Sequence, residues 1–84
     1  MTTNNSIRIE RRSEVIKRTG LPQTTLQDRM ASGLFPRPIP LGGRAVGWPA
    51  YEVDAVIAAM IAGYDISHLR RLVSELTENR KARP

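Results

Sequence analysis

The 84-residue sequence predicts a mainly α-helical domain carrying one small β-hairpin and ending in a C-terminal helix. Three observations carry that prediction. Two short, apolar-patterned segments meet at Gly20-Leu21. A stretch dense in proline and glycine, from Phe35 to Gly47, excludes helix. Two further segments, on either side of Gly63, repeat their apolar residues at helical spacing.

The first helix reads from Ser13 to Gly20. Ser13 is suited to the N-cap, and Glu14 favours the positive end of the helix dipole. Gly20 falls at C′, and Leu21 at C″ is placed to pack on Ile16, as a Schellman ending requires. The second helix reads from Pro22, tolerated in a first turn, to Ser32, with Gly33 as the stop. Leu26 and Met30, four apart, form its inward stripe; Thr24 and Asp28 then face outward, flanked by Thr25, Gln27 and Arg29. Two short helices joined by a glycine turn are the helix-turn-helix arrangement.

Beyond Gly33 come Pro36, Pro38, Pro40, Gly42, Gly43 and Gly47. Gly42-Gly43 reads as a two-residue turn between Ile39-Pro40-Leu41 and Arg44-Ala45-Val46. Pro38 and Pro40 make the first of these strands an edge strand. The third helix starts near Pro49, and Val53, Val56, Ile57, Met60, Ile61 and Tyr64 give it one amphipathic face. Gly63 stops it. Asp65 caps a fourth helix reaching about Asn79, in which Ile66, Leu69, Val73 and Leu76 form a heptad-like seam. The predicted organisation is a disordered arm over 1–8, a winged helix-turn-helix over 9–63, a C-terminal helix over 64–79 and a basic tail over 80–84.

Thirteen Lys and Arg face eight Asp and Glu, a formal net charge of +5, and eleven of the thirteen are arginine. That balance is the electrostatic footprint of a nucleic-acid binder, since the planar guanidinium suits phosphates and guanine edges. A merely solvated basic surface has the same composition. There is no cysteine and a single histidine, His68, so thiolate-zinc and histidine-cluster chemistry are excluded and no cofactor or metal is expected. His68 reads as a surface residue of the fourth helix. No catalytic constellation is present, so the chain reads as a non-enzyme. The longest apolar run, Ala55 to Ala62, is too short to span a bilayer, and the polar start lacks the apolar core of a signal peptide. A cytoplasmic, nucleoid-associated protein is expected.

In a helix-turn-helix the second helix enters the major groove. Gln23, Thr24, Thr25, Gln27 and Asp28 are therefore the candidates for base edges: glutamine pairs with adenine, threonine meets a thymine methyl and aspartate accepts from cytosine. Arg29 reaches a phosphate from the flank. Arg44, beside the hairpin turn, is placed to lie on the backbone or in a minor groove, and Arg37 is a second such cation. Trp48 reads as core rather than as a stacking platform, because it directly precedes the amphipathic helix.

The run from Phe35-Pro36-Arg37-Pro38-Ile39-Pro40-Leu41-Gly42-Gly43-Arg44 through Ala45-Val46-Gly47-Trp48 to Glu52-Val53-Asp54-Ala55 resembles the AlpA family. Upstream, Ser13-Glu14-Val15, Thr19-Gly20-Leu21, Thr25-Leu26 and Gly33 fall where that family has its first two helices. The resemblance covers about residues 9 to 61 and implies a MerR-like winged helix in a phage-type regulator. It also implies one of two roles: activation of integrase genes, or action as an excisionase (recombination directionality factor). Pro22, Asp28 and Pro40 depart from the pattern, standing in place of a capping serine, a basic residue and a lysine. The fourth helix lies outside it.

The favoured reading is a directionality factor that binds double-stranded DNA near an attachment site and steers a partner integrase, of the tyrosine type or another, toward excision. The alternative is a transcriptional regulator of integrase or transfer genes. A reading from another class is a protein–protein adaptor or antitoxin. The seam Ile66, Leu69, Val73 and Leu76 has two uses: docking on its own domain, or, slightly favoured, weak self-association as protomers assemble on DNA. No membrane partner is expected.

Overall fold

Tight stops, rather than long runs of helix-forming residues, set the element boundaries. The computed structural model describes residues 7–81. In chain order they form β1 (Ile9–Glu10), α1 (Arg12–Thr19), α2 (Gln23–Ala31), β2 (Ile39–Gly42), β3 (Ala45–Pro49), α3 (Ala50–Ala62) and α4 (Ile66–Glu78). This is the expected mainly α domain with a hairpin wing and a C-terminal helix.

Helix α1 begins earlier than Ser13 would place it. The Arg11 N–H donates to Glu14 Oε1 at 2.9 Å, so Arg11 is the N-cap. At its other end Gly20 turns left-handed (φ 73°) and donates to the Ile16 carbonyl. The Leu21 N–H is taken by Thr19 Oγ1, so this is a one-bond αL ending and not the Schellman motif expected there. The Schellman motif closes the next two helices instead. Gly33 and Leu34 donate back to Met30 and Arg29, and Gly63 and Tyr64 to Met60 and Ala59. Pro22 and Pro49 are N-caps rather than first helical residues. Asp65 caps α4 as predicted, accepting from the His68 N–H at 2.9 Å.

The three strands form an antiparallel sheet in the order β1-β3-β2. Strand β2 is an edge, which suits Pro40. Pro40 pairs with Val46 and Gly42 with Ala45, so Leu41 is an extra residue, a β-bulge. The bulge moves the turn one residue on. Its tip is Gly43-Arg44 and not Gly42-Gly43, and of these two tip residues Gly43 alone has positive φ, the sign pattern of a type II′ turn. Strand β1 was not expected, because 1–8 reads as an arm and the first element of the 9–63 domain reads as the helix from Ser13. Ile9 pairs with Pro49 and Glu10 with Trp48, and the Ala50 N–H donates to the Arg8 carbonyl. The first six residues lie outside those described. Close approach at this pairing requires glycine at position 47, where a Cβ would stand 2.5 Å from Ile9 Cγ2 and 3.0 Å from the Glu10 carbonyl oxygen.

The core comprises Val15, Leu26, Met30, Phe35, Trp48, Val53, Val56, Ala59, Leu69 and Val73. Trp48 is fully buried. Its indole N–H donates to the Pro36 carbonyl at 2.8 Å, its ring meets Phe35 edge-on at 6.2 Å, and the Arg12 guanidinium lies 5.4 Å from its centroid. Helix α3 packs on β3 and on α4. The residues that α3 buries are Ala50, Glu52, Val53, Val56 and Ala59, a stripe rotated away from Ile61. The amphipathic face expected for α3 therefore fails in its last turn: Ile61 and Tyr64 are exposed.

Helix α4 docks on its own domain through most of its seam. Leu69 and Val73 are buried in the domain's own core and Leu76 packs against it, so these three are engaged in the domain's own packing. Only Ile66 of the four stays exposed. Nor is Arg80 part of a tail. Its Nε and Nη2 donate to the two carboxylate oxygens of fully buried Glu52, at 2.8 and 2.6 Å, and Nη2 also reaches the Arg37 carbonyl at 2.7 Å. The Glu52 hydrogen bonds hold the Arg80 pKa above its ordinary value. Residues 82–84 lie outside those described. The second buried carboxylate, Glu10, is matched in the same way by Arg18 and Arg8, and Arg18 also pairs with Asp54. A buried carboxylate needs such partners, because desolvation opposes its charge.

Candidate nucleic-acid interface

Burying Leu26 and Met30 fixes the rotation of α2. Gln23, Thr24, Gln27 and Asp28 are then exposed along one helical face, and Thr25 and Arg29 are half-buried at its margins. Among the described residues none of these six side chains has a hydrogen-bond or ion-pair partner. The face is polar, outward and unused by the fold. Pro22 supplies no side-chain cap, so the leading N–H groups of α2 are also unmet, which suits a phosphate at this end.

The wing presents Arg44 at its tip, exposed and without a side-chain partner among the described residues. Behind it, Arg11 donates from Nε to the Val46 carbonyl at 3.1 Å, which anchors an exposed guanidinium at the base of the hairpin. Sequence reasoning missed Arg11. Arg11-Arg12 reads as ordinary charge before a helix, and only the pairing of β1 with β3 brings it to the wing.

Arg37 is placed differently from the other candidates. It follows the C-terminal end of α2, and its carbonyl is held by Arg80. Its exposed side chain borders a cleft shared with Gly33, Arg70 and Ser74, away from the α2 N-terminal residues. His68 is exposed, with Nδ1 2.9 Å from Asp65 Oδ1. Among the described residues no group of three His, Cys, Asp or Glu side chains could hold a metal ion. No helix among them is long and apolar enough to cross a membrane.

Comparison with known proteins accords with this geometry. The family model described as prophage CP4-57 regulatory protein (AlpA) matches residues 8–60, which run from β1 to the last turn of α3 and leave α4 outside. The chain is also 40% identical over 50 residues to the uncharacterized protein ORF88 of Enterobacteria phage P4. That alignment spans 60% of this chain and 57% of its relative, so it covers little more than half of either. No solved structure matches. The match of β1, both helices of the helix-turn-helix, the wing and α3 to one model places the chain in the AlpA family of prophage regulatory proteins.

Proposed function

We propose that this protein is a DNA-binding regulator of a mobile element and acts as a recombination directionality factor. The carrying observation is the outward face of α2. Four exposed side chains able to read base edges, Gln23, Thr24, Gln27 and Asp28, serve no bond within the domain. In this reading α2 lies in the major groove, Arg29 meets the flanking phosphate, and Arg44 on the wing holds the backbone or a minor groove. The protein bends or marks DNA near an attachment site, and a partner integrase performs the cutting and joining. It would work on the bacterial nucleoid. The prophage setting of the matched family supports a role in excision. The word regulatory in the same description favours a second reading, control of an integrase or transfer promoter.

A gel shift on attachment-site, promoter and scrambled duplexes is the first test. Selective retardation of the attachment-site duplex is expected, and no retardation of any duplex would leave the adaptor or antitoxin class. Excision by the purified integrase, with and without this protein, then separates the two DNA-binding readings. Stimulated excision is expected. Selective promoter binding with no effect on excision would favour the transcriptional role.

A further inference from the structure

The corner between α3 and α4 carries large apolar side chains that the domain does not cover. Ile61, Tyr64 and Ile66 are 82, 50 and 60% exposed. Asp65 lies between the last two, with an exposed carboxylate. Its contacts, from the His68 N–H, Ser67 Oγ and His68 Nδ1, all use Oδ1, which leaves Oδ2 open. Clustered exposed apolar residues on a small domain mark an interaction site.

A cleft of about 360 Å³ opens between α4 and the C-terminal end of α2. Met30, Phe35 and Val73 give it an apolar floor, and Arg37 and Arg70 stand on its rim. Arg70 is steadied by its Nε bond to the Ser32 carbonyl at 3.1 Å, which leaves both Nη groups for an incoming acceptor. The Arg37 side chain has no partner among the described residues. The third arginine of the lining, Arg80, is already held by Glu52. An apolar floor under two guanidinium groups selects an apolar side chain next to a carboxylate.

Tyr64-Asp65-Ile66 has that chemistry. We propose that a second copy of this chain inserts its α3–α4 corner into the cleft, with Tyr64 and Ile66 over the floor and Asp65 Oδ2 facing Arg70 and Arg37. Corner and cleft are different surfaces, so the contact is heterologous. Each bound pair keeps one free corner and one free cleft, and further copies add head to tail. A few side chains bury less than the roughly 1,200 Å² of a stable complex, so association is weak in dilute solution. Copies held side by side gain from a high effective concentration. The contact does not depend on DNA reading, and its test omits DNA.

The chain has no cysteine, so single-cysteine variants report contacts without background. Ala62→Cys marks the corner and Ser32→Cys the cleft; both positions are exposed and neither belongs to the proposed contact. A flexible bismaleimide is added to each variant alone and to the mixture at high concentration. The mixed product between positions 62 and 32 should dominate. Products mainly between identical positions, or no product, would overturn the proposal.

Polarity provides the second arm. Arg70→Glu in the Ser32→Cys copy should cut the mixed product about tenfold, as loss of about 1.4 kcal/mol would. The same change in the Ala62→Cys copy, whose corner is intact, should leave it unchanged. Ile66→Ser should show the reverse polarity. Equal loss from both copies, which misfolding would also cause, counts against the cleft, and circular dichroism of each variant is recorded beside it.

Discussion

The two halves of this domain use their arginines in opposite ways. Around β1 and at the end of α4, three arginines are committed. Arg8 and Arg18 go to Glu10, and Arg80 to Glu52 and the Arg37 carbonyl. On α2 and the wing, Arg29 and Arg44 have no such partner among the described residues. A formal charge of +5 is therefore a poor guide to where an anion would bind. What marks a reading surface is polar side chains without internal work, and what marks a scaffold is charge already neutralised.

If that division holds, damage to the two halves should look different. The largest effect is expected from removing residues 64–84. Loss of Leu69 and Val73, at about 2–5 kcal/mol for each large-to-small change, together with Arg80, exceeds what a domain this size can lose. Its cooperative thermal transition, followed by circular dichroism, should disappear. Survival of a sharp transition would show that α4 is dispensable.

Next comes Arg80→Ala, which strands Glu52. Breaking a buried pair costs about 3–5 kcal/mol, and the partial exposure of Arg80 lowers the expectation to about 2–4 kcal/mol. Urea unfolding should move by that amount. An unchanged midpoint would mean the pair is not a brace.

The reading half should show the converse pattern. Thr24→Ala or Gln27→Ala should cost about 1–3 kcal/mol on the cognate site and little on scrambled DNA, with unfolding unchanged. Arg44→Ala should weaken all sequences alike and reduce the salt slope by about one. With about four to six phosphates engaged, the wild-type log–log slope should lie near −4 to −5, and a flat salt response would refute DNA binding.

The smallest effect concerns Asp65. The His68 N–H, first among its partners, holds the Asp65 carboxyl below the ordinary aspartate value of 3.8. A carboxyl depressed in the folded state stabilises above its unfolded value, and that contribution is lost as the pH falls through the folded one. Asp65→Asn should therefore flatten the stability profile below about pH 4, with a small loss at neutral pH that the capping ability of Asn partly offsets. A large change at neutral pH would mean that Asp65 has a role beyond the cap.

The division was only partly legible in the sequence. Glycine stops, the Leu26–Met30 stripe, the edge strand at Pro40, the Asp65 cap and buried Trp48 follow from local rules, because each depends on residues a few positions apart. Ile7-Arg8-Ile9-Glu10 does alternate, but in the wrong sense: Ile7 and Ile9 are exposed and Glu10 is buried. Glu10 and Glu52 are inside because arginines 8 and 28 positions away meet them, which no periodicity reveals. The turn moved by one residue because a bulge at Leu41 changes the count. The buried stripe of α3 runs through Glu52, Val56 and Ala59, which turns Ile61 outward. The outward face of α2 was readable in advance, since it is the complement of two core residues.

The middle strand of the sheet is the last of the three to be made. On a ribosome β1 and β2 both emerge before β3, the strand each must pair with. Helices α1 and α2 likewise emerge before Trp48, Val53 and Val56, which complete the core around Val15 and Leu26. The nascent helix-turn-helix thus passes through a stage in which it is exposed, sticky and open to proteases. A chain stalled before position 48 cannot complete this core, so partial products should be cleared rather than left as competing, half-functional DNA binders.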